Sequence, residues 1–155
     1  MSETAYVALG SNIGDGRKNI EDAVKALDSI PGLSVEAVSS MYVTKPWGYT
    51  EQNDFVNACA RVNADISPEA LLGACLGVEA GMGRIRKFTN GPRIIDIDVL
   101  LYGNEKRNTK ELMIPHPRMN ERDFVLVPLA DIAEDDIKKD VLKAISELKE
   151  KYVID

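Results

Sequence analysis

Two carboxylates interrupt an apolar, β-branched run at residues 91–101. Asp96 and Asp98 are two positions apart, so on a strand both side chains point to one face and the neighbouring isoleucine and valine side chains point to the other. Burying two neighbouring anions is costly unless a cation neutralises them or they sit at an open cleft. Mg²⁺ binds proteins through one or two carboxylates plus substrate phosphates. The pair therefore predicts a magnesium site.

Four cations lie directly upstream, within residues 84–93, a stretch that contains no acid. They are Arg84, Arg86, Lys87 and Arg93. Taken alone, an Asp in a strand is usually an edge or turn residue, and a short basic stretch is usually a solvated loop. Their adjacency favours a functional site, because metal-held carboxylates beside a group of cations are what binding a polyphosphate requires.

The whole-chain composition limits the classes of protein to consider. A length of 155 residues predicts one domain, 1–155, and the contents of 45% hydrophobic and 28% charged residues are typical of soluble globular proteins. The net charge of -6 argues against broad, nonspecific nucleic-acid binding, which depends on a basic surface. The chain shows neither a signal-peptide pattern nor an apolar run long enough to span a membrane, so we expect a cytoplasmic protein without membrane partners, and a monomer.

The two cysteines, Cys59 and Cys75, have apolar neighbours in sequence and no metal-binding spacing. They are interpreted as small core side chains. A disulfide between them is possible but is not needed for stability in a chain of this length.

Apolar periodicity predicts the order strand, helix, strand, strand, helix, strand, which is the βαββαβ order of a ferredoxin-like α+β sandwich. Further short strands and a C-terminal helix complete it. Asn12 or Asp15 is expected to cap the first helix and Ser67 the second. The predicted strands are 6–10, 33–42, 55–62 and the Asp-bearing strand, which follows the Gly91-Pro92 turn and ends at Tyr102, with a short one at 112–115. The predicted helices end near residues 30 and 83, and the last includes 141–148.

Two further features allow both a structural and a functional interpretation. The segment 44–54 carries two aromatic residues, Trp47 and Tyr49, which could close over a flat ligand or pack against the domain. His116 is the only histidine and lies between two prolines. A lone histidine is more often structural than functional. Its place just after the Asp-bearing strand nevertheless makes it a candidate hydrogen-bond donor to a phosphate group.

Six segments together resemble the 6-hydroxymethyl-7,8-dihydropterin pyrophosphokinase family. The most specific is the Gly-Pro-Arg-x-x-Asp-x-Asp run, and the resemblance extends from Tyr6 to about Ile132. Members of this family transfer diphosphate from ATP to a pterin alcohol in folate biosynthesis. The segments are 8–12, 39–44, 54–57, 83–87, 91–98 and 115–117 with Arg122 and Phe124.

The resemblance implies a role for each matching residue. Asp96 and Asp98 correspond to the ligands of two Mg²⁺ ions, and Arg84 and Arg93 to the pair that neutralises charge on the transferred group. The residues implied to contact ATP are Glu79, Arg84, Arg86, Arg93, Ile97, His116 and Arg122. Those implied to contact the pterin are Thr44, Lys45, Trp47, Phe55, Asn57, Asp96 and Phe124, with the two phenylalanines stacking on its ring.

The chain departs from the family pattern at a few positions. The segment 84–93 is one residue shorter than in the best-known bacterial members, and Asn90 stands where they commonly carry tryptophan. Lys45 and Phe55 replace proline and tyrosine. The identity of any general base stays open. The alternative function is a non-catalytic nucleotide- or metal-sensing module, which would have the carboxylates but no pocket for a second substrate.

Overall fold

A computed structural model of the chain describes residues 2–44, 53–83 and 93–152. Within these ranges the chain forms seven strands, four α-helices and one short 3-10 helix at Met119–Glu121. The strands are β1 Glu3–Ser11, β2 Leu33–Val38, β3 Tyr42–Thr44, β4 Phe55–Ala64, β5 Asp96–Tyr102, β6 Arg107–Asn108 and β7 Met113–Ile114. The helices are α1 Gly16–Asp28, α2 Pro68–Gly81, α3 Asp123–Ile132 and α4 Asp135–Tyr152.

The main sheet is antiparallel and has the strand order β2-β4-β1-β5, with β3 also pairing with β4. With the helices α1 and α2 following β1 and β4, this is the predicted ferredoxin-like α+β arrangement. The additional short strands β6 and β7 form a separate two-stranded sheet. The fold therefore places the Asp-bearing strand β5 beside β1, at one edge of the described sheet.

The single strand predicted over 33–42 is wrong, because the chain breaks into β2 and β3 after Val38. Ser39 causes the break. Its backbone N–H donates to the Cys59 carbonyl at 2.9 Å, but the Cys59 N–H donates to the Ser39 hydroxyl, also at 2.9 Å, instead of to a strand carbonyl. The serine hydroxyl thus takes the place of a backbone carbonyl as the acceptor for β4. Pairing with β4 resumes at β3, opposite residues 55–57.

Two hydrophobic cores lie on opposite faces of the sheet. Residues of α1 and α2 pack on one face, and residues of α3 and α4 pack on the other. Cys75 belongs to the first core and Cys59 to the second, and both are buried free thiols. The prediction of core cysteines is confirmed, and the two residues do not form a disulfide.

The helix starts follow from capping side chains. The Asp15 carboxylate accepts a hydrogen bond from the Lys18 N–H at 3.2 Å, and the Ser67 hydroxyl accepts one from the Ala70 N–H at 3.1 Å. Asp15, and not Asn12, is thus the cap of α1. In the described part of the chain, none of the helices has the length and apolar character needed to cross a membrane.

Candidate active site

The two carboxylates occupy one face of β5, as their spacing predicts. Along the strand, Asp96 and Asp98 are partly exposed, whereas Ile97 and Val99 are buried at 3% and 4% exposure. Both carboxylates line a cavity of about 640 Å³, a volume that includes space open to solvent, on the face covered by α3. The shared face that the spacing predicts is therefore confirmed, and this face borders a cavity.

The two carboxylates have different electrostatic surroundings. The Arg93 guanidinium contacts Asp96, with Nη1 3.0 Å from Oδ2. Burial, and then the neighbouring Asp96 carboxylate, raise the pKa of Asp98 to about 6. A cation beside Asp98 would lower this pKa again, because it favours the charged carboxylate.

The pair fits a magnesium site. Mg²⁺ often completes its coordination shell with water and substrate phosphates, so two carboxylates are enough protein ligands. In the described ranges, no group of three or more His, Cys, Asp or Glu side chains is arranged to hold a metal. Magnesium would thus be held by this pair together with oxygen atoms from a substrate.

Asn12 fixes the backbone at Arg93. This residue is 5% exposed, and its Oδ1 accepts a hydrogen bond from the Arg93 N–H at 2.8 Å while its own N–H donates to the Arg93 carbonyl at 3.0 Å. Its Nδ2 donates to the Asn53 carbonyl at 3.1 Å, two residues before Phe55. In the sequence, Asn12 is a candidate helix cap and the last residue of the family-like segment 8–12, and no local signal indicates its contacts with residues 41 and 81 positions away.

Other residues of the same cavity provide an aromatic ring and polar groups. Phe55, Asn57 and Thr44 line it, because Thr44 on β3 pairs with Phe55 on β4. The Asn57 side chain is 7% exposed and donates from Nδ2 to Thr44 Oγ1 at 2.5 Å. Gly10 on β1 leaves room for this amide, since a Cβ there would lie 3.1 Å from Asn57 Oδ1.

The start of α3 also contributes residues to the cavity lining. Phe124 and Arg122 line it together with the carboxylates, and the Arg122 Cζ atom lies 5.6 Å from the centre of the Phe124 ring. This distance is within cation–π range, so the arginine orients the ring. The cavity thus brings together two phenylalanines, two polar edge groups and two carboxylates.

A second cavity lies beyond Asp98, on the side of the β6–β7 hairpin. Its lining includes Asp98, His116 and Lys110. Sequence reasoning missed Lys110, since the hairpin that brings it to the site carries no recognisable motif. Asp98 is the one residue common to the linings of these two cavities, so groups bound in them would meet at the carboxylates.

Two other residues implied to contact ATP, Glu79 and Ile97, are bonded to each other. The Glu79 carboxylate, 4% exposed on α2, accepts a hydrogen bond from the Ile97 N–H at 2.7 Å. The Ile97 side chain is buried and lines the second cavity. Glu79 therefore fixes the backbone of β5 between the two aspartates.

His116 has a defined hydrogen-bonding state. Burial, and then the charge of Arg122, lower the pKa of its imidazole. Its Nδ1 accepts a hydrogen bond from the Arg118 N–H at 3.3 Å. A neutral ring with Nδ1 as acceptor carries its proton on Nε2, which is free to act as a donor.

Several predicted site residues lie outside the described residues. They are Arg84, Arg86, Lys45 and Trp47, together with Asn90. Of the remaining predicted residues, Thr44, Phe55, Asn57, Arg93, Asp96, Asp98, Arg122 and Phe124 line the first cavity, and Ile97, Asp98 and His116 line the second.

Comparison with known proteins identifies the family of the chain. The family described as 7,8-dihydro-6-hydroxymethylpterin-pyrophosphokinase (HPPK) matches residues 6–134. The 2-amino-4-hydroxy-6-hydroxymethyldihydropteridine pyrophosphokinase of Methylorubrum extorquens is 47% identical over 131 residues, covering 84% of this chain and 83% of that protein. The protein of the same name from Bacillus subtilis is 42% identical over 134 residues, covering 86% and 80%.

Solved structures agree on the fold. The crystal structure of wild-type Plasmodium falciparum HPPK-DHPS with pteroate superposes with a TM-score of 0.69 and 17% identity. That match covers 99% of this chain and 44% of the other, so this chain spans less than half the length of that protein. On the family match and the two bacterial relatives, the chain belongs to the 7,8-dihydro-6-hydroxymethylpterin-pyrophosphokinase family.

Proposed function

We propose that this chain transfers diphosphate from ATP to the hydroxymethyl group of 6-hydroxymethyl-7,8-dihydropterin in a Mg²⁺-dependent reaction, giving AMP and the pterin diphosphate for folate biosynthesis. The observation that carries the proposal is the pair of cavities that share Asp98. A two-substrate transfer needs such a shared point, because the attacking and leaving oxygens must both lie near the groups that stabilise charge.

The aromatic cavity is assigned to the pterin. A flat bicyclic ring suits stacking between Phe55 and Phe124, and its polar edge suits the amide of Asn57 and the hydroxyl of Thr44. Those two side chains are bonded to each other at 2.5 Å, so the ligand would replace or share a hydrogen bond that already orients them. From the family pattern, Lys45 and Trp47 are assigned to the same substrate.

The second cavity is assigned to the nucleotide. Its cation Lys110 and the Nε2–H donor of His116 suit phosphate oxygens, and Arg122 stands beside Asp98 on the other side. Glu79 and Ile97 contribute by fixing β5. Arg84 and Arg86 are assigned to ATP on the family pattern alone.

Asp96 and Asp98 would hold the magnesium ions, of which we expect two. Magnesium held there would offset the negative charge that develops during transfer of the phosphoryl group. The chain itself orients the reactants: Asn12 fixes Arg93, Arg93 bonds Asp96, and the guanidinium stays free to bind further oxygens through its other N–H groups. Little covalent work remains for the protein, so positioning and electrostatics carry the reaction.

The test is AMP formation from ATP and Mg²⁺ with and without the pterin alcohol. The enzyme should form AMP only when the pterin is present, whereas a nucleotide- or metal-sensing module would form none in either case. Asp96→Ala and Asp98→Ala should each abolish turnover and retain the fold, because the site loses a metal ligand and its internal repulsion together. Turnover at the wild-type rate in either variant would refute the assignment of the metal site.

A further inference from the structure

A carboxylate near the end of α3 holds the edge strand β3. The Asp131 Oδ2 atom accepts a hydrogen bond from the Tyr42 hydroxyl at 2.7 Å and another from the Ser40 N–H at 3.2 Å. Both bonds connect segments about 90 residues apart in sequence, with separations of 89 and 91 positions. They therefore define how α3 sits against β3.

The two elements joined by this contact both contribute residues to the lining of the aromatic cavity. Tyr42 begins β3 and Thr44, which lines the cavity, ends it. Asp131 lies near the C-terminal end of α3, and Phe124, which also lines the cavity, lies near its N-terminal end. Seven helical residues span roughly 10 Å. The contact is thus remote from the ligand position, but it connects the elements that carry these two lining residues.

The position of Asp131 is unfavourable for the helix itself. A negative charge in the last turn of a helix interacts badly with the helix dipole, and the side chain is exposed, so the core does not require it. Its carboxylate instead bonds to β3. This contact gives a reason for an acid at a position where helix stability alone would favour another residue.

Within the described residues, β3 is a short strand that pairs with β4 through three residues. The Cys59 thiol on β4 donates to the Val125 carbonyl of α3 at 3.6 Å, so β4 is tied to α3 directly. The Asp131 contact adds a direct connection between β3 and α3. Each of the three elements β3, β4 and α3 is therefore bonded to the other two. Without the Asp131 contact, the separation of Thr44 and Phe124 would depend only on the pairing of β3 with β4 and on the packing of β4 against α3.

We propose that Tyr42 and Asp131 are positioning residues for the pterin site: their hydrogen bond sets the distance between the strand that carries Thr44 and the helix that carries Phe124. The inference rests on the proposed function, because it takes the pterin as the ligand of this cavity. It predicts that the bond affects pterin binding and leaves nucleotide binding, which uses the opposite side of Asp98, unchanged.

The experiment measures pterin affinity by the fluorescence of the pterin, in the presence of Mg²⁺ and a nonhydrolysable ATP analogue, for four variants. Asp131→Ala removes both bonds and should weaken pterin binding about tenfold, and Tyr42→Phe removes one and should weaken it about threefold. Asp131→Asn keeps an acceptor oxygen and should stay within about twofold of wild type. The variant with both Asp131→Ala and Tyr42→Phe should be no weaker than Asp131→Ala alone, because the two changes remove the same interaction.

Two matched controls lose similar bonds elsewhere. Asp28→Ala removes a carboxylate that accepts a hydrogen bond from the Val35 N–H at 2.8 Å, and Tyr102→Phe removes a hydroxyl that bonds the Ile66 carbonyl. Neither residue lines a cavity of the site, so both variants should bind pterin within about twofold of wild type even if they unfold more easily. Steady-state assays of the Tyr42 and Asp131 variants should show a raised KM for pterin, with kcat and the KM for ATP nearly unchanged.

The outcomes separate this inference from the proposed function. Failure of the wild-type protein to bind or convert the pterin would refute the proposed function and this inference with it. A wild type that converts pterin, with Asp131→Ala and Tyr42→Phe equal to it in pterin affinity, would refute the positioning role alone. Equal loss in Asp131→Ala and Asp131→Asn would also refute it, because charge rather than hydrogen-bond geometry would then be responsible.

Discussion

Asp98→Asn should make the metal-free protein more stable while it removes activity. In the folded protein, burial and the adjacent Asp96 carboxylate raise the pKa of Asp98 from its ordinary value of 3.8 to about 6. Its charged form is therefore disfavoured in the native state relative to the unfolded chain. An asparagine side chain of nearly the same shape carries no charge and avoids that penalty.

The size and pH range of the effect follow from this pKa. Between about pH 3.8 and pH 6 the native protein binds more protons at Asp98 than the unfolded chain does, so stability falls as the pH rises through this range. Above it, the penalty is complete and amounts to about 3 kcal/mol. Allowing for imperfect packing of the amide, Asp98→Asn should gain roughly 1 to 3 kcal/mol at pH 8, or roughly 3 to 10 °C in Tm.

The assay is thermal and urea unfolding at pH 8 in EDTA, repeated at pH 4, where the difference between the two proteins should largely disappear. Asp96→Asn is the matched control. Its carboxylate pairs with Arg93 at 3.0 Å, so the amide loses an ion pair, and the variant should not be stabilised. Added Mg²⁺ with an ATP analogue should raise the Tm of the wild type more than that of either variant.

Two results would contradict this reasoning. If Asp98→Asn in EDTA at pH 8 were less stable than wild type, the carboxylate would be favourably compensated within the fold. If Mg²⁺ and nucleotide stabilised Asp98→Asn as much as wild type, Asp98 would not be a metal ligand.

Three other substitutions test single contacts. Asn12→Ala leaves the Arg93 N–H and the Asn53 carbonyl without their side-chain partner in a buried site, so kcat/KM should fall roughly 10- to 100-fold and Tm should drop, as steady-state kinetics and thermal unfolding would measure. Arg93→Ala should lower kcat more than it weakens pterin binding; the reverse, in kinetics compared with direct titration, would make it a docking residue. Gly10→Ala places a Cβ 3.1 Å from Asn57 Oδ1 and should weaken pterin binding several-fold in the fluorescence titration, with ATP affinity unchanged.

The sequence predicts the carboxylate face of β5 well because strand alternation is a local property. Once residues 95–99 are read as a strand, the faces of Asp96 and Asp98 are determined, and their burial pattern agrees. The helix caps Asp15 and Ser67 are equally local, since each bonds an N–H three residues away. The βαββαβ order follows from such local patterns taken together.

Features that depend on distant partners could not be predicted. The break between β2 and β3 depends on the Ser39 hydroxyl accepting from Cys59, 20 positions away on β4. The bonds of Asn12 to Arg93, and of Tyr42 to Asp131, span 81 and 89 positions. A single sequence gives no period or spacing for such pairs, so side chains that position the site were missed even where those that line it were identified.

Glu79 has a consequence beyond the site. In the described sheet β5 is an outer strand, and an outer strand offers unpaired N–H groups to which a strand of another molecule can add. The buried Glu79 carboxylate already bonds the Ile97 N–H in the middle of the Asp-bearing stretch. A foreign strand arriving at that point finds the Ile97 N–H already bonded. The side chain that holds β5 in place thus also removes one backbone donor through which a strand of another molecule could pair with β5.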